Sequence, residues 1–216
     1  ECGMTLATTI KDEPYRYASG QPVNNWDNKY IGSARVRYAI EHSMNVCAVR
    51  TLTETVGLEK GYKYLENFGF TTLVNNDPNY PGMSDIAQAT ALGGITRGVY
   101  NIEMTAAYAA IANSGIYTEP LLYTEILDHD GNVLIDNSKP ITRRVLKEST
   151  AFLLTSAMQD VINRGTGTPA RLNNMPAAGK TGTTSSNYDA WFCGYTPYYT
   201  ASIWIGFDVN TNFAAG

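Results

Sequence analysis

The chain is short of histidine, cysteine and long apolar runs, and each shortage removes a class of function. His42 and His129 are the only histidines among 216 residues, and neither stands in a sequence context that suggests a Ser-His-Asp triad. Cys2, Cys47 and Cys193 are an odd number at wide spacings without a C-x-x-C, so neither a zinc site nor a disulfide framework is indicated. Cys47 and Cys193 lie in apolar surroundings and read as buried packing. No metal and no cofactor is expected. Basic residues are scattered and the net charge is -4, so the electrostatic footprint of a nucleic-acid partner is missing. No apolar run approaches the ~20 residues of a membrane helix, and Glu1-Cys2-Gly3-Met4 has no charged leader character.

What is present describes one folded domain. A hydrophobic share of 44% against 17% charged residues excludes disorder, and the length suits a single domain over residues 1–216. The first thirty-odd residues mix Gly, Pro, Asn and aromatics without periodicity and read as irregular structure with one short strand. Ser33 is a candidate cap for a helix carrying Val36, Ala39 and Ile40. A second helical pattern runs from Val46 to Val56 and stops at Gly57, with Ser43-Met44-Asn45 interrupting the two. Further helices are expected at 58–67, at 84–92, at 102–113 capped by Asn101, and from Glu148 to Asn163. Residues 122–127 and 133–135, joined by Asp128-His129-Asp130-Gly131-Asn132, predict a β-hairpin outside the helical body. Residues 177–184, 189–196 and 200–207 predict an antiparallel meander, so the fold class is α+β.

Lys180-Thr181-Gly182 falls on the first strand of that meander. A Lys there supplies positive potential, the hydroxyls of Thr181, Thr183 and Thr184 can take a carboxylate, and Gly182 lets a bulky ligand approach the backbone. The backbone N–H of Thr183 is placed to contribute to an oxyanion hole. The tripeptide alone arises by chance in about one chain in twenty of this length, so it gains meaning only from context. Gly179-Lys180-Thr181 also matches the end of a phosphate-binding loop. That motif needs a glycine where residue 174 is Asn, and a helix where a strand follows, which rejects a nucleotide site. Ser43 and Asn45 form an S-x-N element, a hydroxyl able to relay a proton beside an amide able to hold a peptide backbone. Their plain alternative is to break and cap helices.

In order along the chain these elements resemble the transpeptidase domain of class A, bifunctional penicillin-binding proteins. The likeness rests on Asn28-Lys29-Tyr30, Arg37-Tyr38-Ala39 and Ser43-Met44-Asn45-Val46. It continues through Leu92-Gly93-Gly94, Glu103-Met104, Ala107-Tyr108-Ala109, Ala112-Asn113 and Gly165-Thr166-Gly167 before Ala170. The most specific stretch is Gly179-Lys180-Thr181-Gly182-Thr183-Thr184 followed by Asp189-Ala190-Trp191-Phe192 and Gly194-Tyr195-Thr196-Pro197. The resemblance implies a penicillin-binding protein/β-lactamase-like fold, a helical body plus antiparallel sheet. It also implies a serine acyl-enzyme that cross-links peptidoglycan stem peptides ending in D-Ala-D-Ala and binds β-lactam antibiotics.

By the same resemblance Ser43 joins the proton relay and Asn45 holds the acyl-donor backbone. Lys180 tunes the electrostatics, Thr181 and Thr183 bind the terminal carboxylate, and Asp189, Trp191 and Tyr195 support the strands. The family's nucleophile and its base form S-x-x-K, yet no serine here has a lysine three residues later. On the family's order the nucleophile is expected before residue 1. The chain is then a partial domain, incomplete at both ends, lacking two strands of a five-stranded sheet and a C-terminal helix. The strand at 200–207 is left with a bare edge, which predicts self-association through it. The parent protein is expected at the extracytoplasmic face of the bacterial cytoplasmic membrane, anchored by an N-terminal helix. A D,D-carboxypeptidase or β-lactamase-like hydrolase and a non-catalytic stem-peptide-binding module are the alternatives.

Overall fold

The structure, a computed structural model, describes residues 2–209 and 211–213. Its N-terminal part is more regular than the sequence suggests. β1 (Thr9–Asp12) pairs antiparallel with β4 (Gly32–Arg35), and β2 (Tyr15–Arg16) pairs with β3 (Pro22–Val23). Strands of two to four residues are too short to show period-2 alternation, and the β1–β4 pairing bridges some twenty residues, so local pattern cannot reveal them. Ser33 lies within β4 and caps nothing; Arg35, in extended conformation, precedes α1 (Val36–Glu41) without a side-chain cap.

After a break at 42–44 comes α2 (Asn45–Arg50). It runs on into a π-helical turn, Thr51–Val56, and ends where Gly57 takes a φ of 86° that a side chain would resist. α3 (Leu58–Asn67) follows and buries only Tyr62. The helix expected at 84–92 is reduced to a 3-10 turn, Gln88–Leu92. The reason is Asp85, whose buried carboxylate accepts the N–H groups of Val74 (2.7 Å) and Thr96 (2.8 Å) and the Thr96 hydroxyl (2.7 Å). A side chain that gathers backbone donors from two flanking loops holds its own segment open rather than helical.

α4 (Asn101–Ala112) begins as expected, but Tyr100 is the capping residue; Asn101 is already helical and its side chain turns to the Ser202 hydroxyl. Two short strands not visible in the sequence, β5 (Ile116–Thr118) and β8 (Thr142–Arg144), pair across the base of a hairpin formed by β6 (Glu125–Leu127) and β7 (Val133–Asp136). Every residue of β6 and β7 is exposed, so the hairpin stands off the body as predicted.

α5 (Glu148–Arg164) is the spine of the body, with Ala151, Ala157, Met158, Val161 and Ile162 buried on one face. Each large aliphatic side chain taken from water there contributes about 1.5–3 kcal/mol. β9 (Ala178–Thr183), β10 (Asp189–Tyr195) and β11 (Thr200–Gly206) form the expected meander, ordered β11-β10-β9. Met158, Ala178 and Tyr195 pack with Ile40, Tyr108, Ile111 and Leu154, joining helices to sheet in one α+β core. Tyr195 adds a hydroxyl contact of 2.7 Å to Thr155, and Asp189 accepts the Trp204 indole N–H at 2.8 Å, so both support the sheet. Cys47 and Cys193 are buried, and burial raises both thiols to about 11, as inert packing groups.

Candidate active site

Three pieces of chain distant in sequence meet at the break between α1 and α2. Ser43 sits in that break with a φ of 54°, left-handed backbone in which a non-glycine residue stays only when its surroundings over-determine it. Lys180 on β9 donates from Nζ to Ser43 Oγ at 2.7 Å, and again to the Thr181 carbonyl at 2.8 Å. Burial lowers the Lys180 pKa to about 8, because the charged ammonium has given up most of its water. The lysine thereby titrates closer to neutral pH than a free lysine while hydrogen-bonded to a hydroxyl, an arrangement through which a proton can pass.

Asn45 opens α2, and its Nδ2 donates to the Asn24 carbonyl at 2.9 Å, which orients the amide and leaves a second N–H and the Oδ1 acceptor. Thr181 shares a 2.8 Å hydroxyl contact with Thr166. The Thr166 N–H in turn reaches the Glu41 carbonyl at 3.2 Å. At the neighbouring Gly165 a Cβ would collide with that same carbonyl, so only glycine permits the approach of the two segments.

An ion network fixes this approach. Arg164 donates to the buried Glu41 at 3.1 Å and to Asp160 at 2.8 Å, and Asp160 also takes Arg37 at 2.5 Å. The ends of α1 and α5 are locked together, and with them the serine before α2 and the threonine beside β9. Sequence reading gave Thr166, Glu41 and Asn24 no role. The Gly165-Thr166-Gly167 run was the one available signal; Asn24 acts through a backbone carbonyl, which any residue carries, and Glu41 through its carbonyl and a carboxylate whose partner, Arg164, is remote in sequence.

The strand Lys180–Thr184 lies between two cavities. One, of 820 Å³, is bordered by Ser43, Asn45 and apolar residues including Ala48, Leu52 and Leu65; the other, of 690 Å³, by Arg97, Met104, Tyr108, Trp191 and Trp204. Thr181, Gly182, Thr183 and Thr184 face both. Thr183 is exposed and its hydroxyl bonds no described residue, whereas the Thr184 hydroxyl accepts the N–H groups of Tyr188 (2.9 Å) and Asp189 (3.0 Å) in the following turn. Thr181 and Thr184 are thus already bonded within the fold, and Thr183 is the member of the hydroxyl row without a described partner. Among the described residues no group of three or more His, Cys, Asp or Glu side chains could hold a metal ion.

The chain has relatives of known family. The pattern of the "Penicillin binding protein transpeptidase domain" family matches residues 3–212. "Penicillin-binding protein 1A" of Clostridium acetobutylicum is 38% identical over 98% of the chain, and "Penicillin-binding protein 1A/1B" of Bacillus subtilis is 31% identical over 93%. The chain spans 26% and 22% of those two proteins. Among solved structures, penicillin-binding protein 1A from Haemophilus influenzae superposes with a TM-score of 0.80 at 25% identity, over 96% of this chain and 36% of that one. The PonA1 protein of Mycobacterium tuberculosis in complex with penicillin V superposes with a TM-score of 0.81 at 25% identity, over 94% of this chain and 55% of that one. A lysine on a strand edge bonded to the serine of an S-x-N loop, in a chain matched from end to end by one family, leads to a single assignment: the chain belongs to the penicillin-binding protein transpeptidase domain family, among its class A members.

Proposed function

We propose that the chain supplies the substrate-binding wall and part of the proton relay of a serine D,D-transpeptidase that cross-links peptidoglycan stem peptides. The observation carrying this reading is the 2.7 Å hydrogen bond from Lys180 to Ser43, which joins the two motif segments across 137 residues. In the reaction, a serine of an S-x-x-K segment outside these residues attacks the carbonyl between the two terminal D-alanines. The new C–O ester forms, the C–N bond breaks, and the serine's proton passes through the Lys180–Ser43 pair to the departing D-alanine amine. An amine from a neighbouring stem then attacks the ester, completing the cross-link and returning the serine its proton.

Asn45 with its remaining N–H and acceptor holds the acyl-donor backbone. Thr181 and Thr183 receive the terminal carboxylate next to the Lys180 charge, Gly182 allows the ligand to lie against the strand, and Thr184 shapes the turn that ends it. The Thr183 N–H contributes to the oxyanion hole. β-Lactams occupy the same wall. The parent protein works at the extracytoplasmic face of the bacterial cytoplasmic membrane, held by an N-terminal helix; among the described residues no helix is long and apolar enough to cross a membrane.

The test is labelling with a fluorescent penicillin. The 216-residue chain is expected to acquire no covalent label, and a parent protein that includes S-x-x-K is expected to label at its serine. A stable acylated band at the mass of this chain, or an unlabelled parent, would overturn the reading.

A further inference from the structure

Ser43 holds a strained conformation, and the structure shows which contacts besides Lys180 restrain its neighbours. Three consecutive residues of the loop after β3 each bond a residue within or next to the S-x-N segment. The Asn24 carbonyl accepts the Asn45 amide at 2.9 Å, Asn25 Oδ1 accepts the Val46 backbone N–H at 3.2 Å, and the Trp26 indole donates to the His42 carbonyl at 3.1 Å. These partners bracket Ser43 on both sides. The loop is itself anchored by one buried carboxylate. Asp12 is 0% exposed; its Oδ1 accepts Asn25 Nδ2 at 2.8 Å and its Oδ2 accepts the Ile31 N–H at 2.8 Å. Asn25, 5% exposed, spends the same Nδ2 on the Lys29 carbonyl at 2.8 Å.

A buried carboxylate whose oxygens are both taken by donors from one loop is costly to remove and specifies a single arrangement of that loop. We propose that the Asp12–Asn25 pair is a positioning device: it sets the Asn24-Asn25-Trp26 loop, which holds Ser43 left-handed and fixes the Asn45 amide toward the cleft. The pair borders neither of the two cavities and acts only through the S-x-N segment. The inference rests on the reading of Ser43 and Asn45 as site residues for its importance, but its geometry stands without it. Two features would be useless to a merely structural loop: the grip falls on His42 before the strained serine and on Asn45 and Val46 after it, and it orients a side-chain amide that could otherwise rotate.

The test uses NMR on the 216-residue chain, with Asn25→Ala and Asp12→Asn. In Asn25→Ala the Trp26 indole and Asn45 side-chain amide resonances are expected to move, and the Ser43 carbon shifts to lose their positive-φ signature. The Val46 amide should exchange about tenfold faster, the loss of one hydrogen bond, while β10 amides such as Cys193 keep their protection. Asp12→Asn, which keeps one acceptor, should give the same changes at smaller size. Unchanged Ser43, Asn45 and Trp26 signals in folded Asn25→Ala, or equal loss of protection in α5 and β10, would overturn the proposal. Should Asn25→Ala fail to fold, the same signals in Asp12→Asn decide, and their constancy overturns it. No catalytic step is read, so failure here leaves the transpeptidase reading standing, and an unlabelled parent enzyme leaves this coupling standing.

Discussion

The three-stranded sheet ends in two strands of opposite character. β9 carries Lys180, Thr181, Gly182 and Thr183 and looks onto two cavities. β11 carries Ile203 and Ile205, each 57% exposed, with Trp204 and Phe207 partly exposed beside them. Both present a strand edge, the part of a sheet most prone to unwanted pairing. On β9 the edge is made of charge, hydroxyls and glycine, which accept a polar extended ligand and discourage apolar association. On β11 the edge is made of residues that pair readily with another strand. We propose that one sheet separates chemistry from self-association by placing them at opposite margins.

The comparison can be broken first at β9. Lys180→Ala removes the ammonium bonded to Ser43 and is expected to slow acylation of the parent enzyme by penicillin by about 10²–10³-fold, the usual loss for one preorganised electrostatic donor. A stopped-flow acylation rate within a few-fold of wild type would show that β9 is only a wall. Next is the clamp behind it. Asp160→Asn leaves Arg37 and Arg164 without their shared carboxylate. It should cost on the order of 2 kcal/mol by chemical denaturation, between exposed and fully buried pairs because both arginines keep contact with water.

At the other margin, Ile203→Lys with Ile205→Lys should abolish the concentration-dependent self-association we propose for the β11 edge, read by sedimentation. Stability should change by less than about 1 kcal/mol, as for other exposed positions. A chain that is monomeric at all concentrations before the change would remove the contrast altogether.

The smallest effect is in pH. Lys180 has its folded pKa lowered to about 8 from 10.5, so between those values the unfolded chain binds more protons and stability rises with pH. Below about pH 8 the full cost of the buried charge is felt. Buried Cys47 and Cys193, raised to about 11, act in the opposite sense above pH 9. The expected result is therefore stated as a difference: the stability gap between wild type and Lys180→Met should narrow from pH 7 to pH 10. A constant gap would show that Lys180 titrates as it does in water.

Sequence reading succeeded where a segment's own residues decide its state. α5 announces itself by apolar recurrence over seventeen residues, and the meander by aromatic and β-branched strands between polar turns. Lys180, Thr181, Ser43 and Asn45 were named from their side-chain chemistry, and the structure gathers them at one cavity. Sequence reading failed where the partner is remote. β1 finds β4 across a loop, Asp85 draws the expected helix at 84–92 into a loop, and Glu41 and Asn24 serve the site with backbone carbonyls that leave no mark in composition. The left-handed φ of Ser43 belongs to the same group, because nothing in the letters Ser-Met-Asn distinguishes a strained loop from a plain helix break.

The π-helical turn at Thr51–Val56 gives the chain a phase as well as a shape. A π turn holds one residue more than an α turn of the same span, so the chain takes up an extra residue before it reaches Gly57. Thr51, Leu52 and Val56 on one side of that adjustment, and Leu58, Gly61 and Leu65 on the other, border the same cavity. Deleting a single residue here would press the turn toward α geometry, and Thr51, Leu52 and Val56 could no longer all keep their places on the cavity wall. The spare residue acts as a local spacer ahead of Gly57, and a deletion of one should disturb that wall more than a conservative substitution within the same six positions.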